Sequence, residues 1–401
     1  MTPTPTSPSP LFPNPTPSPT TTLLTHITAT LGHRVPPVWA EAVRAVPRDR
    51  FLPGRVWLRD GDGGYVPCDR ATDPVRWAEA AYRDVPVVTQ LAEDDDGFQE
   101  PTSSASAPST VLRMLADAAL ADGHRVLEIG TGTGFHAALL SHRLGADRVV
   151  SVEVDPLLAE TARAHLEALG HAPTVITGDG AHGYAAGAPY DRIICTCSVR
   201  SVPATWLAQT LPGARLVVPW SSSWITYGTL VLTRRPDGTA DGWFAGYGSY
   251  MVMRGQRASA DLDRDLLRDG QRPRRSSTAL SPWAVAGESL DAQFAIGLRV
   301  PDVWHSWDSG TDEAHTRLWL ADDAATSWAS VDYDGRQTAA YLVRQHGPRQ
   351  LWDEIEAAHQ RWVRAGAPEI ARHGLTVTPE GQRVRLCPQR PSAPPTVSEG
   401  R

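Results

Sequence analysis

The sequence predicts an α/β protein: a doubly wound domain around a parallel sheet, with a C-terminal α+β appendix. Three observations predict it. Between residues 106 and 220, short apolar strands alternate with helical segments, the pattern of a parallel sheet with right-handed crossovers. The first of these strands runs directly into a Gly-Thr-Gly-Thr-Gly turn and then a helix. Composition changes on both sides of this stretch, so further units flank it. With 401 residues, 41% hydrophobic and 21% charged, the chain is long enough for them.

In chain order, residues 1–22 (MTPTPTSPSPLFPNPTPSPTTT) have almost nothing to bury and are expected to be disordered or polyproline-like. Residues 23–105 form an N-terminal cap region. A helix is expected over Pro36–Val46, broken by VPRDRFLP (46–53), and a short one over Trp77–Asp84; the acidic run Glu93–Asp96 reads as a solvated loop. Residues 106–255 are the central domain. Its helices are placed at Ala107–Leu120, Phe135–Leu144, Asp155 to about Leu169 (Asp as cap, Pro156 at the first position) and Val202–Thr210. Its strands are placed at Arg125–Ile129, Arg148–Val154, Thr174–Thr177, Arg192–Cys197 and Ala214–Val218, followed by strand-rich sequence with exposed aromatics. Residues 256–281, charged and poor in large apolar side chains, read as a linker. Residues 282–388 form an accessory domain with an amphipathic helix at Leu351–Ala365 and a hairpin around Glu380-Gly381; residues 389–401 are a loose tail. The tryptophans of the accessory domain (283, 304, 307, 319, 328, 352 and 362) suit a packed core, with a binding surface as the alternative.

Composition closes several doors. There is no lysine, which excludes Schiff-base chemistry, a pyridoxal-phosphate site and a P-loop. The formal charge of -7, without a basic block, gives no sign of nucleic-acid binding. Of the 4 cysteines only Cys195 and Cys197 are close, with no second pair to complete a metal site, so no metal is expected. No apolar run approaches the ~20 residues of a membrane span, and the N-terminus lacks a signal-peptide core, so the expected location is cytoplasmic with no membrane partner.

The segment carrying chemistry is VLEIGTGTGFHAALL (126–140). Its glycines allow a tight turn and close approach of backbone to ligand, and the helix end offers free N–H groups. A dinucleotide fingerprint G-x-G-x-x-G would need glycine at 135, which is Phe135; this speaks against a nicotinamide dehydrogenase. The residues instead spell E-x-G-x-G-x-G, with Glu128, Gly130, Thr131, Gly132, Thr133 and Gly134, the form that suits S-adenosylmethionine. An acidic side chain on the strand suits that cofactor's cationic amino-acid end. A second carboxylate is needed about twenty positions on, at the end of the next strand, to accept from the ribose hydroxyls, and Glu153 stands there. After the third strand, Asp179 is placed to meet the adenine amino group, with Gly180 giving room for the ring.

Residues 46–220 resemble the protein-L-isoaspartate O-methyltransferases. The resemblance rests on VPRDRFLP (46–53), SAP (106–108), the glycine loop, VVSVEVDP (149–156), GDGAHGY (178–184), APYDRIICT (188–196) and VPATWLAQTLPGARLVVP (202–219). It implies a Rossmann-like class I methyltransferase domain that methylates an aspartyl or isoaspartyl carboxylate of a protein or peptide, the ester then losing methanol to a succinimide. Departures are Ser109 and Thr110 after SAP, where the repair enzymes have His and a hydrophobic residue, the acidic insert before it, and a C-terminal unit expected to have no counterpart there. With WAEAAYRDVPVVTQ (77–90), PTSSASAPS (101–109) and TCSVRSVPATWLAQT (196–210), the chain looks like a subgroup from actinobacterial ribosomal-peptide clusters. That subgroup's substrate is a cross-linked precursor peptide, its product an aspartimide or isoaspartate, and its partner a peptide-maturation ligase or synthetase. Isoaspartyl repair and a non-catalytic peptide-binding module are the alternatives.

The nucleophile in such a reaction is a carboxylate, already ionised at neutral pH, so alignment and desolvation matter more than a general base. The resemblance makes Ser106, the SAP serine, the candidate for orienting the acceptor; a helix N-cap is the competing role. Thr110, a turn on, could face the same cleft. Thr89 and Gln90 could border the acceptor or simply end a strand. His136 reads as a surface helix position or a cofactor neighbour, Asp191 as a structural cap, and Arg200 as a solvated arginine or a partner for an acidic peptide.

Overall fold

The computed structural model describes residues 18–387 except 62, 94–98, 226–227, 258–261, 310–314 and 335–338. The expected tails at 1–17 and 389–401, and most of the acidic run, lie outside these residues. The tail predicted over 1–22 is corrected at its inner end. Helix α1 spans Pro19–Leu31: Ser18 caps it by accepting from the Thr21 N–H, Pro19 opens it, and Gly32 closes it at φ 73°. Apolar Leu23, Leu24 and Ile27 share its buried face.

Helix α2 (Pro37–Ala45) and a 3₁₀ turn (Arg48–Phe51) follow. The stretch that read as mixed is a sheet. Strands β1 (Arg55–Arg59), β2 (Tyr65–Asp69), β3 (Val87–Glu93) and β4 (Gln99–Ala105) pair antiparallel in the order β2-β1-β3-β4, with α3 (Pro74–Ala81) between β2 and β3. Alternation was obscured because one sheet face packs on α3 while the other lines a cleft: Val56, Cys68 and Val87 meet Trp77 and Ala81 on the first.

The central elements are α4 (Pro108–Ala118), β5 (Val126–Ile129), α5 (Phe135–Leu144), β6 (Val149–Glu153), α6 (Pro156–Ala168), β7 (Thr174–Thr177), β8 (Tyr190–Cys195), α7 (Ala204–Ala208), β9 (Thr210–Trp220), β10 (Gly228–Arg234) and β11 (Ala240–Gly246). Strands β5 to β9 are parallel, in the order β7-β6-β5-β8-β9, and β10 and β11 add antiparallel at the β9 edge. This is the doubly wound arrangement expected from the alternating pattern. Every residue of β5 and of β6 is buried, as a parallel sheet covered on both faces requires. Val126, Val149, Ile194 and Val217 face a core made with the N-terminal helices; Leu127, Val150, Ile193 and Leu216 face the opposite one. Of the aromatics after β9, Tyr247 is exposed as expected, whereas Trp224 and Phe244 are buried, Phe244 packing edge-on against Phe294 with Trp220 of β9.

The C-terminal elements are β12 (Arg274–Thr278), α8 (Pro282–Ala286), α9 (Leu290–Gly297), β13 (Val303–Ser309), β14 (Thr316–Asp322), β15 (Trp328–Tyr333), β16 (Tyr341–His346), α10 (Leu351–Arg364), β17 (His373–Thr378) and β18 (Gly381–Leu386). Two predicted boundaries move. β12 lies inside the expected linker and joins the antiparallel sheet β12-β16-β15-β14-β13. The β17–β18 hairpin belongs to the central sheet, where β17 pairs with β11, making nine strands. Val303, Leu318, Val331 and Trp352 share one core with β5, β8 and β9, so the appendix covers the sheet's second face. Among its tryptophans, Trp328 and Trp352 are buried, while Trp283 is 46% exposed.

His305 stacks on Trp224 in this seam, at 4.5 Å between ring centroids, and His373 lies buried beside Phe294. Burial pushes both imidazoles down to about 4. Between pH 6.5 and 4 the unfolded chain therefore takes up protons that the folded one refuses, and stability falls as pH falls, by roughly 3 kcal/mol per ring at most. Denaturant melts from pH 7.5 to 4.5 should show this loss, and His305→Phe should remove part of it.

Candidate active site

A cavity of about 580 Å³ opens at the C-terminal ends of β5, β6 and β8. Between the parallel neighbours β5 and β8 the order in which successive strands are added to the sheet reverses, and doubly wound folds place ligands outside that point. The floor is the loop Gly130–Thr133 with Glu153, Asp179 and Thr196; the opposite wall is Ser106, Thr110 and the inner face of the β1–β4 sheet.

The glycine loop needs its glycines for backbone reasons. Gly130, Gly132 and Gly134 have φ of 92°, 52° and 90°. A Cβ on Gly130 would stand 2.5 Å from Thr196 Oγ1, whereas one on Gly132 would meet nothing nearer than 4.0 Å. The strictest position is thus where β5 and β8 abut.

Glu128 sits elsewhere than expected. It is fully buried and does not line the cavity. One carboxylate oxygen accepts from the Ser151 hydroxyl and the other bonds His136 Nδ1 at 2.6 Å, while Ser151 Oγ also bonds Thr131 Oγ1 at 2.6 Å. Glu128 therefore stiffens the loop from behind, because its strand position points into the sheet's cover. His136 is corrected as well: it is 7% exposed, lines the cavity, and its Nε2 is buried without a partner.

Glu153 accepts from the Gly132 N–H at 2.8 Å and from the Asp155 N–H at 3.1 Å. A carboxylate has about four acceptor positions, so about two remain for ligand hydroxyls. Asp179 Oδ1 accepts from the Ala181 N–H at 2.8 Å. Ile129 and Met253 crowd Gly180, whose Cβ would fall 2.5 Å from Ile129 Cγ2. Ile129, Gly180 and Met253 thus line the cavity beside the Asp179 carboxylate.

Ser106 does not cap α4; the cap is Ala107, with no side-chain bond. Both Ser106 and Thr110 line the cavity. Ser106 is placed through its carbonyl. The Arg48 guanidinium, 1% exposed, donates to the carbonyls of Ala81, Arg83, Val85, Ala105 and Ser106 at 2.9–3.2 Å. Burial pushes Arg48 down to about 10, the nearby Asp84 opposing the shift; Asp84 also accepts from the Ser109 N–H. Sequence reasoning missed both residues, because Arg48 stands among other charges in VPRDRFLP and nothing local marks it as buried.

Other candidates resolve structurally. Thr89 bonds Ser103 across the β3–β4 pair, and Gln90 bonds Thr102 there and Asp155 at the start of α6; neither Thr89 nor Gln90 lines the cavity. Arg200 is paired internally with Asp323 and Ser223, clamping the appendix. Asp191 accepts from the Arg125 N–H at 2.8 Å, the structural cap expected. Cys195 is buried, Cys197 lines the cavity, and the described residues contain no metal-binding cluster. The loop Ser249–Arg257 also lines the cavity; it folds back onto β8 through Ser198, a long-range return with no local sequence signal.

The family model for protein-L-isoaspartate(D-aspartate) O-methyltransferase matches residues 69–238. A protein-L-isoaspartate O-methyltransferase from Ignicoccus hospitalis is 35% identical over 182 residues, 45% of this chain and 72% of that protein. Protein-L-isoaspartate O-methyltransferase 2 from Archaeoglobus fulgidus is 35% identical over 185 residues, 46% of this chain and 70% of that one. The chain belongs to the protein-L-isoaspartate O-methyltransferase family. It is an S-adenosylmethionine-dependent carboxyl O-methyltransferase. A solved protein-L-isoaspartate O-methyltransferase overlays at TM-score 0.51 and 22% identity, over 92% of this chain and 99% of that one. The overlay takes in the C-terminal unit, which corrects the expectation that such a unit has no counterpart in a protein of that name. No helix among the described residues is long and apolar enough to cross a membrane.

Two outcomes are expected for this methyltransferase. Gly130→Ala, which adds a clash at a positive φ, should weaken S-adenosylhomocysteine binding by calorimetry at least tenfold, roughly the effect of 1–3 kcal/mol of backbone strain. Arg48→Met should destabilise the fold by about 3–5 kcal/mol in denaturant titration by stranding buried carbonyls, and Arg48→Lys should recover only part, having fewer donors.

Proposed function

We propose that this methyltransferase acts on an aspartyl carboxylate of a cross-linked ribosomal precursor peptide, giving an aspartimide that can open to isoaspartate. The carrying observation is the cleft itself: a cofactor-shaped floor facing a wall with two free hydroxyls, Ser106 and Thr110. S-adenosylmethionine supplies an electrophilic methyl on a sulfonium. Glu153 would accept from the ribose hydroxyls through its unused acceptor positions, and Asp179 with Gly180 would hold the adenine. The backbone of Gly130, Thr131, Gly132, Thr133 and Gly134 would hold the amino-acid end, where His136 Nε2 offers a buried polar atom; Glu128 would act through His136.

Ser106 and Thr110 line the cavity and would orient the acceptor carboxylate toward the methyl group that S-adenosylmethionine would supply. The β1–β4 sheet excludes water, which strips hydration from the nucleophile. The methyl ester forms, and attack of the next backbone nitrogen on its carbonyl expels methanol. Support for a dedicated peptide comes from Ser109-Thr110 after SAP and from the cavity residues outside the matched 69–238, namely those of β1, of β2's start and of the Ser249–Arg257 loop. The C-terminal unit no longer supports it, given the overlay. A maturation ligase or synthetase would act upstream as partner. Repair of isoaspartyl proteins, the activity in the family's name, is the second reading.

Labelled methyl transfer, scored as base-labile methanol, tests this with an unrelated isoaspartyl peptide beside the cross-linked precursor. Turnover confined to the precursor is expected; robust turnover of the unrelated peptide would establish repair instead. Ser106→Ala should lower kcat/KM about tenfold to a hundredfold while leaving S-adenosylhomocysteine affinity intact, as loss of an orienting hydrogen bond does.

A further inference from the structure

The acceptor half of the cavity carries a charge that carboxylate methylation alone does not use. Three arginines line the cavity: Arg59, Arg254 and Arg257. Arg254 pairs with Asp155 at 3.3 Å, and Arg257 with Glu100 at 3.0 Å. Arg59 has the Tyr65 ring, 5.9 Å from its guanidinium carbon, and no carboxylate partner among the described residues.

The sheet register fixes where Arg59 stands. Trp57 pairs with Val88, and Val88 with Ser104. Two residues further along β1 and β4, Arg59 is level with Ser106, two strand spacings or about 10 Å away. Alternation puts Trp57, Arg59 and Tyr65 on the cavity face, since Arg59 pairs with Tyr65 while Val56 and Cys68 point to α3. Arg59, Trp57 and Tyr65 all precede the matched residues 69–238. The matched segment supplies the cofactor floor, and this hairpin supplies the acceptor's surroundings.

The geometry points to Arg59 as a specificity residue that binds a second carboxylate of the acceptor peptide, an acidic side chain one to three positions from the methylated one. This rests on Ser106 marking the acceptor site, as proposed above. The spacing separates the two anions: Ser106 holds the reacting carboxylate with a neutral donor, preserving its nucleophilicity, while the guanidinium takes the other in a charge-assisted pair. Arg59 is exposed, and half-buried Trp57 and Tyr65 share its face of the sheet, the Tyr65 ring lying against the guanidinium.

The test uses the full-length protein loaded with S-adenosylhomocysteine and two forms of the cross-linked precursor peptide, identical except for Glu or Gln two residues after the acceptor aspartate. Binding is followed by calorimetry. The Glu peptide should bind about tenfold more tightly than its Gln twin at low salt, with the gap shrinking as salt rises. Arg59→Gln should close the gap, and Arg59→Glu should reverse it in favour of a Lys twin. Equal binding of the twins, a gap that survives Arg59→Gln, or no binding of either peptide would overturn the assignment. The S-adenosylhomocysteine titration of the same samples separates the outcomes, because its failure would sink the cofactor site and not this residue. Loss of discrimination in Arg59→Gln alongside an unchanged response to Ser106→Ala would keep the pairing and sink the acceptor placement.

Discussion

A single buried cation organises the acceptor side of the molecule. Arg48 offers its guanidinium to five carbonyls from the end of α3, the turn before β3 and the end of β4. A planar group with several fixed donors satisfies them together, which no apolar side chain could do. Ser106 follows directly from this knot, so the wall facing the glycine loop is positioned by a residue far from it in sequence. Asp84 lowers the cost of burying the charge and, through Ser109, ties the same knot to the first turn of α4.

The parallel sheet imposes a second constraint. Strands buried on both faces need two covers, and the chain provides them from its two ends. Helices α1, α2, α4 and α5 cover one face, and the C-terminal elements cover the other through Phe294, Leu318 and Trp352. The β17–β18 hairpin returns to extend the sheet itself. Arg200 adds a polar clamp across the same seam by pairing with Asp323 and Ser223. The C-terminal unit is thereby part of the folding unit of the methyltransferase.

Under the glycine loop lies a polar network that an apolar core would not need. Glu128, His136, Ser151 and Thr131 hold one another within a space that excludes water. Each strand-end residue there is committed to its neighbour, which fixes the loop before any ligand arrives. Preorganisation of this kind suits a reaction whose barrier is lowered chiefly by alignment.

The sequence by itself determined the central domain. The strand–glycine–helix order, Asp155 with Pro156 as a helix start, and the position of Glu153 are all local signals, and the glycine loop and Glu153 line the cavity. It likewise exposed α10 and the β17–β18 hairpin, whose periodicities are strong. What it could not show depends on side chains meeting across distance. The β1–β4 sheet hid because its two faces serve α3 and a cleft, neither of which is a solvent face. Arg48 drew no reading from the sequence, because the five carbonyls it serves converge only in the folded chain. Glu128 and His136 exchanged their expected places, since a motif gives spacing along the chain and not the direction of a side chain behind a loop. The Ser249–Arg257 loop reaches the cavity only by pairing with β8, and Arg59 only by register with β3 and β4. Local propensity and turn chemistry write the first group of features, and they act within a few residues. Burial and hydrogen-bond satisfaction decide the second, and these exist only once the chain has closed on itself.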